Sequence, residues 1–574
     1  MEHTAKNTTI EYTLTRETTR HQTGFFVVTP VDKPDFEQAL ARLKLRPMDD
    51  FLHQYVLTRM QHLPQTAIQQ FLENDETGDD PVFDALAAEY RLLTMGRQAL
   101  KTQYTAEDLK QMSRHTPLIY LRSALTPDQP LHRQWTALFR GNILIHKPLL
   151  PPEKTDLPPL MPENSPTPSP LSAAGKPQIT LSELARTTAG QQKPAAPLPT
   201  PGKTADTAIE RLEQAGVELD QLMRHQASLS PIGLLRTWRF FISVDNHRNR
   251  FTLSGEQTSY GRGLSLDVAR ASLMMEIVER CSAFASVSES GLEGLQRRYP
   301  VRHATFSELA RKEEVALDPG NLSLETPYRD EPLHWIAGET PGRNNKIWIP
   351  VQCLFLFCNL DEPALFSGLG STGLASGNTQ AQARVAAILE IIERHQAATV
   401  PYDPNACFRL VAVDSEVGAL LTAYHQAGLD LWFQDITPPM GIPCCRCFVA
   451  EQNGTIHTGT AAHLNARKAI ISAITENTCP FPNVPATRPA PNGLTIVPYE
   501  NLPDYATTNP DTDLRLLETL LLKNGFSPCY ADLTRADINL PVAKAIVPGL
   551  EIMGDLDDYS RVHPDLYHNY LAMF

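Results

Sequence analysis

GRGLSLDVARASLMMEIVERCSA, residues 261–283, and ASGNTQAQARVAAILEIIERHQA, residues 375–397, carry one pattern 114 positions apart. Superposed, they pair Gly263 with Gly377, Ala269-Arg270 with Ala383-Arg384, Glu276 with Glu390, Glu279 with Glu393 and Arg280 with Arg394. Residues three and four apart on a helix are neighbours, so each copy reads as a helix with a Glu-x-x-Glu-Arg face. The flanking positions, Leu273, Met274, Ile277 and Val278 in one copy and Ile388, Leu389, Ile391 and Ile392 in the other, are apolar. A helix apolar nearly all round is buried.

A solvated Glu–Arg face explains one such helix taken alone, since an i,i+4 pair is worth only a few tenths of a kcal/mol. Duplication inside apolar surroundings makes that reading insufficient. Buried paired carboxylates cost several kcal/mol unless a cation, a basic partner or a proton compensates them. Hard divalent ions with oxygen ligands do this, and Mg²⁺ usually arrives with substrate phosphates.

The 574 residues predict two to four domains, and 42% hydrophobic residues suffice for a substantial core. A net charge of −14 speaks against a nucleic-acid partner. No segment is long and apolar enough to suggest a membrane span, and MEHTAKNTTIEYT at the N-terminus has no apolar run for secretion. A cytoplasmic location is therefore expected. Nine cysteines without regular pairing read as reduced thiols. Cys444-Cys445-Arg446-Cys447 contains a C-x-x-C, but GIPCCRCFVAE alternates like a strand, so the thiols read as small hydrophobes. His53 and His62 show no metal-ligand spacing.

Three regions follow. Residues 1–146 predict a small, mostly helical domain that opens on a strand pair, TIEYTLTR and GFFVVTPV. Residues 147–204, rich in Pro and Ser, predict an extended linker with one short helix in ITLSELARTT. In residues 205–574 a connecting helix, AIERLEQAGVELDQLMRH, precedes strand-like runs: FFISVDNH, IWIPVQCLFLF, LWFQDIT, PCCRCFVAE and PVAKAIVPGL. These alternate with helices, so the class is α/β (α+β). No GxxxxGK[ST] occurs, which excludes a P-loop.

The run SGNTQAQARVAAILEIIERH, the earlier Ser272-x-x-x-Glu276-x-x-Glu279-Arg280 and IVPGLE from Ile546 resemble the YcaO family over roughly residue 230 to the end. The resemblance implies a YcaO-like C-terminal domain and an ATP-dependent enzyme. In it a nucleophile attacks a peptide amide carbonyl and the resulting oxygen is phosphorylated, giving an azoline, a thioamide or an amidine. It implies that Glu276, Glu279, Glu390 and Glu393 hold Mg²⁺ around ATP. It also implies that Ser272, Asn378 and Glu476 belong to the nucleotide site, that Arg280 and Arg394 clamp phosphate or neutralise their own Glu pairs, and that Arg262 replaces a basic residue between glycines. No catalytic residue is singled out. A peptide or protein substrate is the implied partner, with a protein delivering substrate or nucleophile and a second copy of the chain as further candidates.

The chain departs from the family's pattern in three places. Gln382, which the resemblance counts with the nucleotide site, stands where an acid is usual, and its capping-box spacing from Thr379 offers it the helix start as an alternative role. Cys479 stands where Gln is expected, and Pro480-Phe481-Pro482 replaces a region with Arg, so Arg488, Arg467 or Lys468 is expected to supply the missing charge. The ending HNYLAMF differs from the proline-rich tail of azoline-forming members, which shifts the expectation from azoline formation by this chain alone toward thioamide formation or a related amide activation. The alternative to an enzyme is a non-catalytic scaffold or peptide-binding partner that retains the acidic helices.

Overall fold

The computed structural model describes residues 9–18, 24–73, 80–161, 168–188, 197–342 and 345–574. Its spine is a hairpin of two 15-residue strands, Ile232–Asn246 and Asn249–Gly263, joined by a two-residue turn at His247-Arg248. Inward residues along it alternate with outward ones, so Trp238, Ile242, Phe251 and Leu253 are buried. This hairpin centres a seven-stranded sheet.

Two outer strands of that sheet, on one side of the hairpin, come from the N-terminal region. Ile10–Thr18 pairs antiparallel with Gly24–Pro30, as the sequence predicts, and runs parallel to Asn249–Gly263 from Ile10↔Phe251 to Leu14↔Gly255. Ile10, Tyr12 and Leu14 thereby enter the same core as Phe251 and Leu253. The helices Phe36–Leu45, Asp50–Gln61, Pro81–Gln103 and Ala106–Met112 match the expected helical run. Asp35, Asp49, Asp80 and Thr105 cap their first turns.

A second sheet of six strands orders Lys346–Pro350, Leu333–Glu339, Cys529–Asp532, Val542–Ile546 and Leu374–Ser376, with Arg302–Ala304 also paired to Leu333–Glu339. The third has five: Ile456–Ala462, Cys444–Ala450, Trp432–Asp435, Cys407–Val411 and Thr495–Pro498. Cys444, Cys445 and Cys447 are buried, unbridged residues of a central strand. Among the described residues, no helix is long and apolar enough to cross a membrane.

Three expectations are corrected. IWIPVQCLFLF is a strand only to Pro350; Val351–Cys353 turns as a 3₁₀ helix, where the Gln352 amide donates to Glu362 Oε1 at 2.7 Å. The connecting helix begins earlier, at Pro201, and ends at Gln214 before Gly216, whose φ of 71° suits glycine. Residues 168–188 pack rather than extend. Leu171 and Leu181 are fully buried beside Ile388 and Ile392, Gln396 donates to Leu171 O, and Leu181 N donates to Met440 O.

Candidate functional site

Each sheet sends one strand into an acidic helix. The strand Asn249–Gly263 leads to Leu266–Ser282, Leu374–Ser376 to Gln380–Thr399, and Ile456–Ala462 to Ala466–Glu476. Their N-caps are Ser265, Thr379 and Asn465, each accepting from the backbone of the first turn. Glu276, Glu390 and Glu476 all stand 11 residues after their caps. The duplication in the sequence therefore has a third, more divergent member.

Glycines set the strand against its helix. A Cβ on Gly261 would lie 2.5 Å from Leu273 N, one on Gly377 2.6 Å from Ala383 N, and one on Gly459 2.5 Å from Asn477 N. That closeness lets backbone amides hold carboxylates. Tyr260 N donates to Glu276 Oε2 at 3.0 Å, Gly373 N to Glu390 Oε2 at 3.2 Å, and Ala462 N to Glu393 Oε2 at 3.4 Å. Ser376 Oγ donates to Met275 O at 2.8 Å and ties the second unit to the first helix.

The acidic faces converge. Burial pushes Glu279 up to about 8, and the charges of Glu390 and Glu276 push it the same way. Glu393 is raised by burial and by Glu476 on the third helix, and Glu276, Glu390 and Glu476 are likewise raised, burial leading in each case. The helical arginines form loose ion pairs with them: Arg280 is 3.7 Å from both Glu276 and Glu279, and Arg394 is 3.8 and 4.0 Å from Glu390 and Glu393. Side-chain exposures of 15–28% for these four carboxylates describe a deep cleft with an open mouth.

Two further cations reach the cluster. Arg262, on the first strand, acts on both Glu276 and Glu476, and its buried Nε has no hydrogen-bond partner among the described residues. Lys544, buried in the strand Val542–Ile546, donates to Thr372 O at 2.7 Å beside Glu390, Glu279 and Arg280. Burial lowers its amine to about 8 against the pull of Glu390. The sequence reading passed over Lys544; the signal was a lone charge inside the apolar run VAKAIV.

The other end of the second helix is polar. Gln382 Oε1 accepts from Asn378 N at 2.9 Å and from Asn378 Nδ2 at 3.2 Å, while Gln382 N donates to Thr379 Oγ1 at 3.1 Å. Gln382 is thus engaged in the helix start. Asn378 Oδ1 also accepts from Thr204 Oγ1 at 3.1 Å. Ser272 is exposed one turn before Glu276. At 1.5 Å per residue, Gln382 and Glu390 are about 12 Å apart along the axis.

The third unit differs from expectation. Cys479 is fully buried in the core of the five-stranded sheet, its thiol raised by burial to about 11. Arg488 donates to Gln452 O, and Arg467 to Glu500 O while lying over the Tyr499 ring. Lys468 acts on His463 and Asp513. The cations that act on the acidic groups are Arg262 and Lys544 rather than these three, the helix ending at Glu476 and the chain after it turning into the sheet core.

Residues 260–484 and 479–551 match the profile of a family described as YcaO cyclodehydratase, ATP- and Mg²⁺-binding. An uncharacterized protein of Methanothermobacter thermautotrophicus is 26% identical over 328 residues, 51% of this chain and 81% of that protein. An uncharacterized protein in the tfuA 3' region of Rhizobium leguminosarum bv. trifolii is 23% identical over 245 residues, 40% of this chain and 55% of that protein. Among solved structures, a heterocyclase in complex with substrate and cofactor aligns at 20% identity and a TM-score of 0.49 over 63% of this chain and 54% of its own. YcaO from Methanopyrus kandleri, bound with AMPPCP and Mg²⁺, aligns at 18% identity and 0.44 over 61% of this chain and 91% of its own. The chain thus spans about half the length of the second relative and of the heterocyclase.

Proposed function

The chain belongs to the YcaO family, whose members bind ATP and Mg²⁺, and from that premise we propose that it activates a peptide backbone amide for attack by a nucleophile. One observation carries the reading. Five carboxylates on three helices act on one another and are all raised by burial, and four of them lie 3.7–4.0 Å from an arginine of their own helix. Hard oxygen donors that crowd one another in this way fit a divalent cation. The unpartnered Nε of Arg262 beside them fits an anionic oxygen.

When bound, ATP and Mg²⁺ supply a phosphoryl group that makes the amide oxygen a leaving group. The protein's contribution is placement and charge. Glu276, Glu279, Glu390, Glu393 and Glu476 would hold the cation, with Tyr260, Gly373 and Ala462 amides fixing three of them. Arg262, Arg280, Arg394 and Lys544 would balance phosphate charge. Ser272 and Asn378 would contact the nucleotide along the cleft, and Gln382 would hold Asn378. A thioamide rather than an azoline is the product we favour, with sulfide as the external nucleophile; the two are separated by mass, oxygen-for-sulfur exchange against loss of water.

A second reading rests on Cys479 and Arg488. Both belong to the third unit, and both turn from the cleft. A scaffold that binds Mg²⁺·ATP without turnover would have that construction. Calorimetry of ATP with and without Mg²⁺ tests binding, and phosphate release in the presence of peptides from the producing cells tests turnover. Binding without release favours the scaffold, and no Mg²⁺-dependent binding removes both readings.

A further inference from the structure

We propose that the open edge of the strand Asn249–Gly263 is the track on which an extended peptide docks, adding a strand that leads into the acidic cleft. The argument begins with hydrogen-bond alternation. Asn246 and Asn249 close the two-residue turn, and in an antiparallel pair the residues alternate between bonding the partner and facing away. Residues 251, 253, 255, 257, 259 and 261 face the partner strand. Residues 252, 254, 256, 258, 260 and 262 therefore turn their N–H and C=O groups outward.

Outward bonds elsewhere in the hairpin obey this parity. On the other edge, Thr237 O accepts from Asp220 N, Arg239 N donates to Glu218 O, and Gly233 O accepts from His225 N. Each of these sits opposite an outward residue, 258, 256 or 262. That edge is covered. Among the described residues, strand pairing covers the Asn249–Gly263 edge as far as Leu14↔Gly255, where the N-terminal strand leaves it. Gly255 marks the fork, since a Cβ there would lie 2.8 Å from Leu14 Cβ. Between the diverging strands lies a cavity of about 610 Å³ bordered by Thr13, Thr15, Thr237 and Thr258.

Beyond the fork, among the described residues, the outward amides find one partner, Glu276, which accepts from Tyr260 N at 3.0 Å. The same carboxylate belongs to the acidic cleft, and Arg262, the next outward residue, brings its side chain to Glu276 and Glu476. The edge thus runs from the fork to the cleft over residues 256–262, about 20 Å at 3.3 Å per residue. An open strand edge matches an extended backbone irrespective of side chains. A peptide is the occupant because the edge ends where, on the reading above, a peptide amide is activated; the proposal rests on that reading for its chemistry but not for its docking geometry.

Amide hydrogen exchange on the full chain tests it. The probe is a short acetylated and amidated peptide of alternating Thr and Val, with a control methylated on alternate backbone nitrogens. The Thr258 amide should slow by about tenfold or more on adding the probe, while Gln257 and Ser259, already bonded across the hairpin, should not change. The methylated control should leave Thr258 fast. Thr258→Pro removes an outward N–H and should weaken probe binding about tenfold while Mg²⁺·ATP binding persists. No slowing at Thr258, equal slowing by both peptides, or slow exchange without peptide accompanied by dimer formation would each overturn the proposal, the last by assigning the edge to a second copy. Glu390→Gln separates the two readings: losing Mg²⁺·ATP binding there, with probe docking intact, is the expected result.

Discussion

Glu390 sits where three opposing influences meet: burial, which disfavours its charge, the guanidinium of Arg394 at 3.8 Å, and an amide from Gly373. Removing its charge while keeping its shape should relieve repulsion on Glu279, so Glu390→Gln should be as stable as the parent or more so without metal. Mg²⁺-dependent ATP affinity should fall at least about tenfold, near 1.4 kcal/mol. Calorimetry beside a melting curve checks both, and a variant that lost stability while keeping affinity would make the carboxylate a structural partner of Arg394. A buried acid outside the cleft gives a pH signature. Burial pushes Glu325 from its ordinary 4.5 up to about 7, Asp557 and Asp555 adding to it and the Ser367 amide and hydroxyl, at 2.6 and 2.7 Å, opposing it. The folded chain keeps a proton there that the unfolded chain releases, so stability falls as pH rises from about 4.5 through 7 and levels off above. The loss is roughly 3 kcal/mol at most. Glu325→Gln should flatten that slope and be the more stable form at pH 8; equal denaturant midpoints for both proteins across the range would refute this.

The strand and its acidic helix work as one unit because glycine lets them touch. Gly261→Ala places a methyl against Ala269 and Leu273, so the helix must move outward. Overpacking of this kind costs about 1–3 kcal/mol, and the displacement should also lengthen the Tyr260–Glu276 bond. A drop in melting temperature together with faster exchange of the Tyr260 amide would be the joint result, and an unchanged amide would separate packing from site geometry. The two acidic helices were legible in the sequence because Glu276, Glu279, Glu390 and Glu393 repeat at one spacing amid apolar neighbours. The third was only partly so: Glu476 keeps its distance from the cap, but Ala466–Glu476 ends at that residue and leaves no second turn to recognise. Lys544 escaped notice because its partners come from a strand and a helix distant in sequence. IWIPVQCLFLF misled because burial in a core and burial in a sheet leave the same apolar run; only Gln352 and its bond to Glu362 distinguish them.

The regions read as separate from composition are joined by packing. The N-terminal strand supplies Ile10, Tyr12 and Leu14 to the core around Phe251. Residues 168–188 fill the back of the second acidic helix with Leu171 and Leu181, and Trp135 stacks edge-on against Tyr567 and Tyr570 of the helix Pro564–Leu571. Proline and serine between these anchors hid them, since a few buried leucines do not shift the composition of a 58-residue stretch, 147–204. The consequence concerns where the protein can be divided. Each fully buried leucine or aromatic residue is worth about 1.5–3 kcal/mol relative to exposure, and a net stability of roughly 5–15 kcal/mol does not survive losing several at once. A chain that begins at Pro201 should therefore fail to form a stable monomer, because the strand Asn249–Gly263 would lose its parallel neighbour and the second helix its cover. Cleavage of the intact chain at a site within 189–196 should instead leave two fragments that co-elute under native conditions and separate only in denaturant. Gel filtration and circular dichroism decide it: a well-folded monomer beginning at Pro201, or fragments that part without denaturant, would show that the first 200 residues add no support to the site.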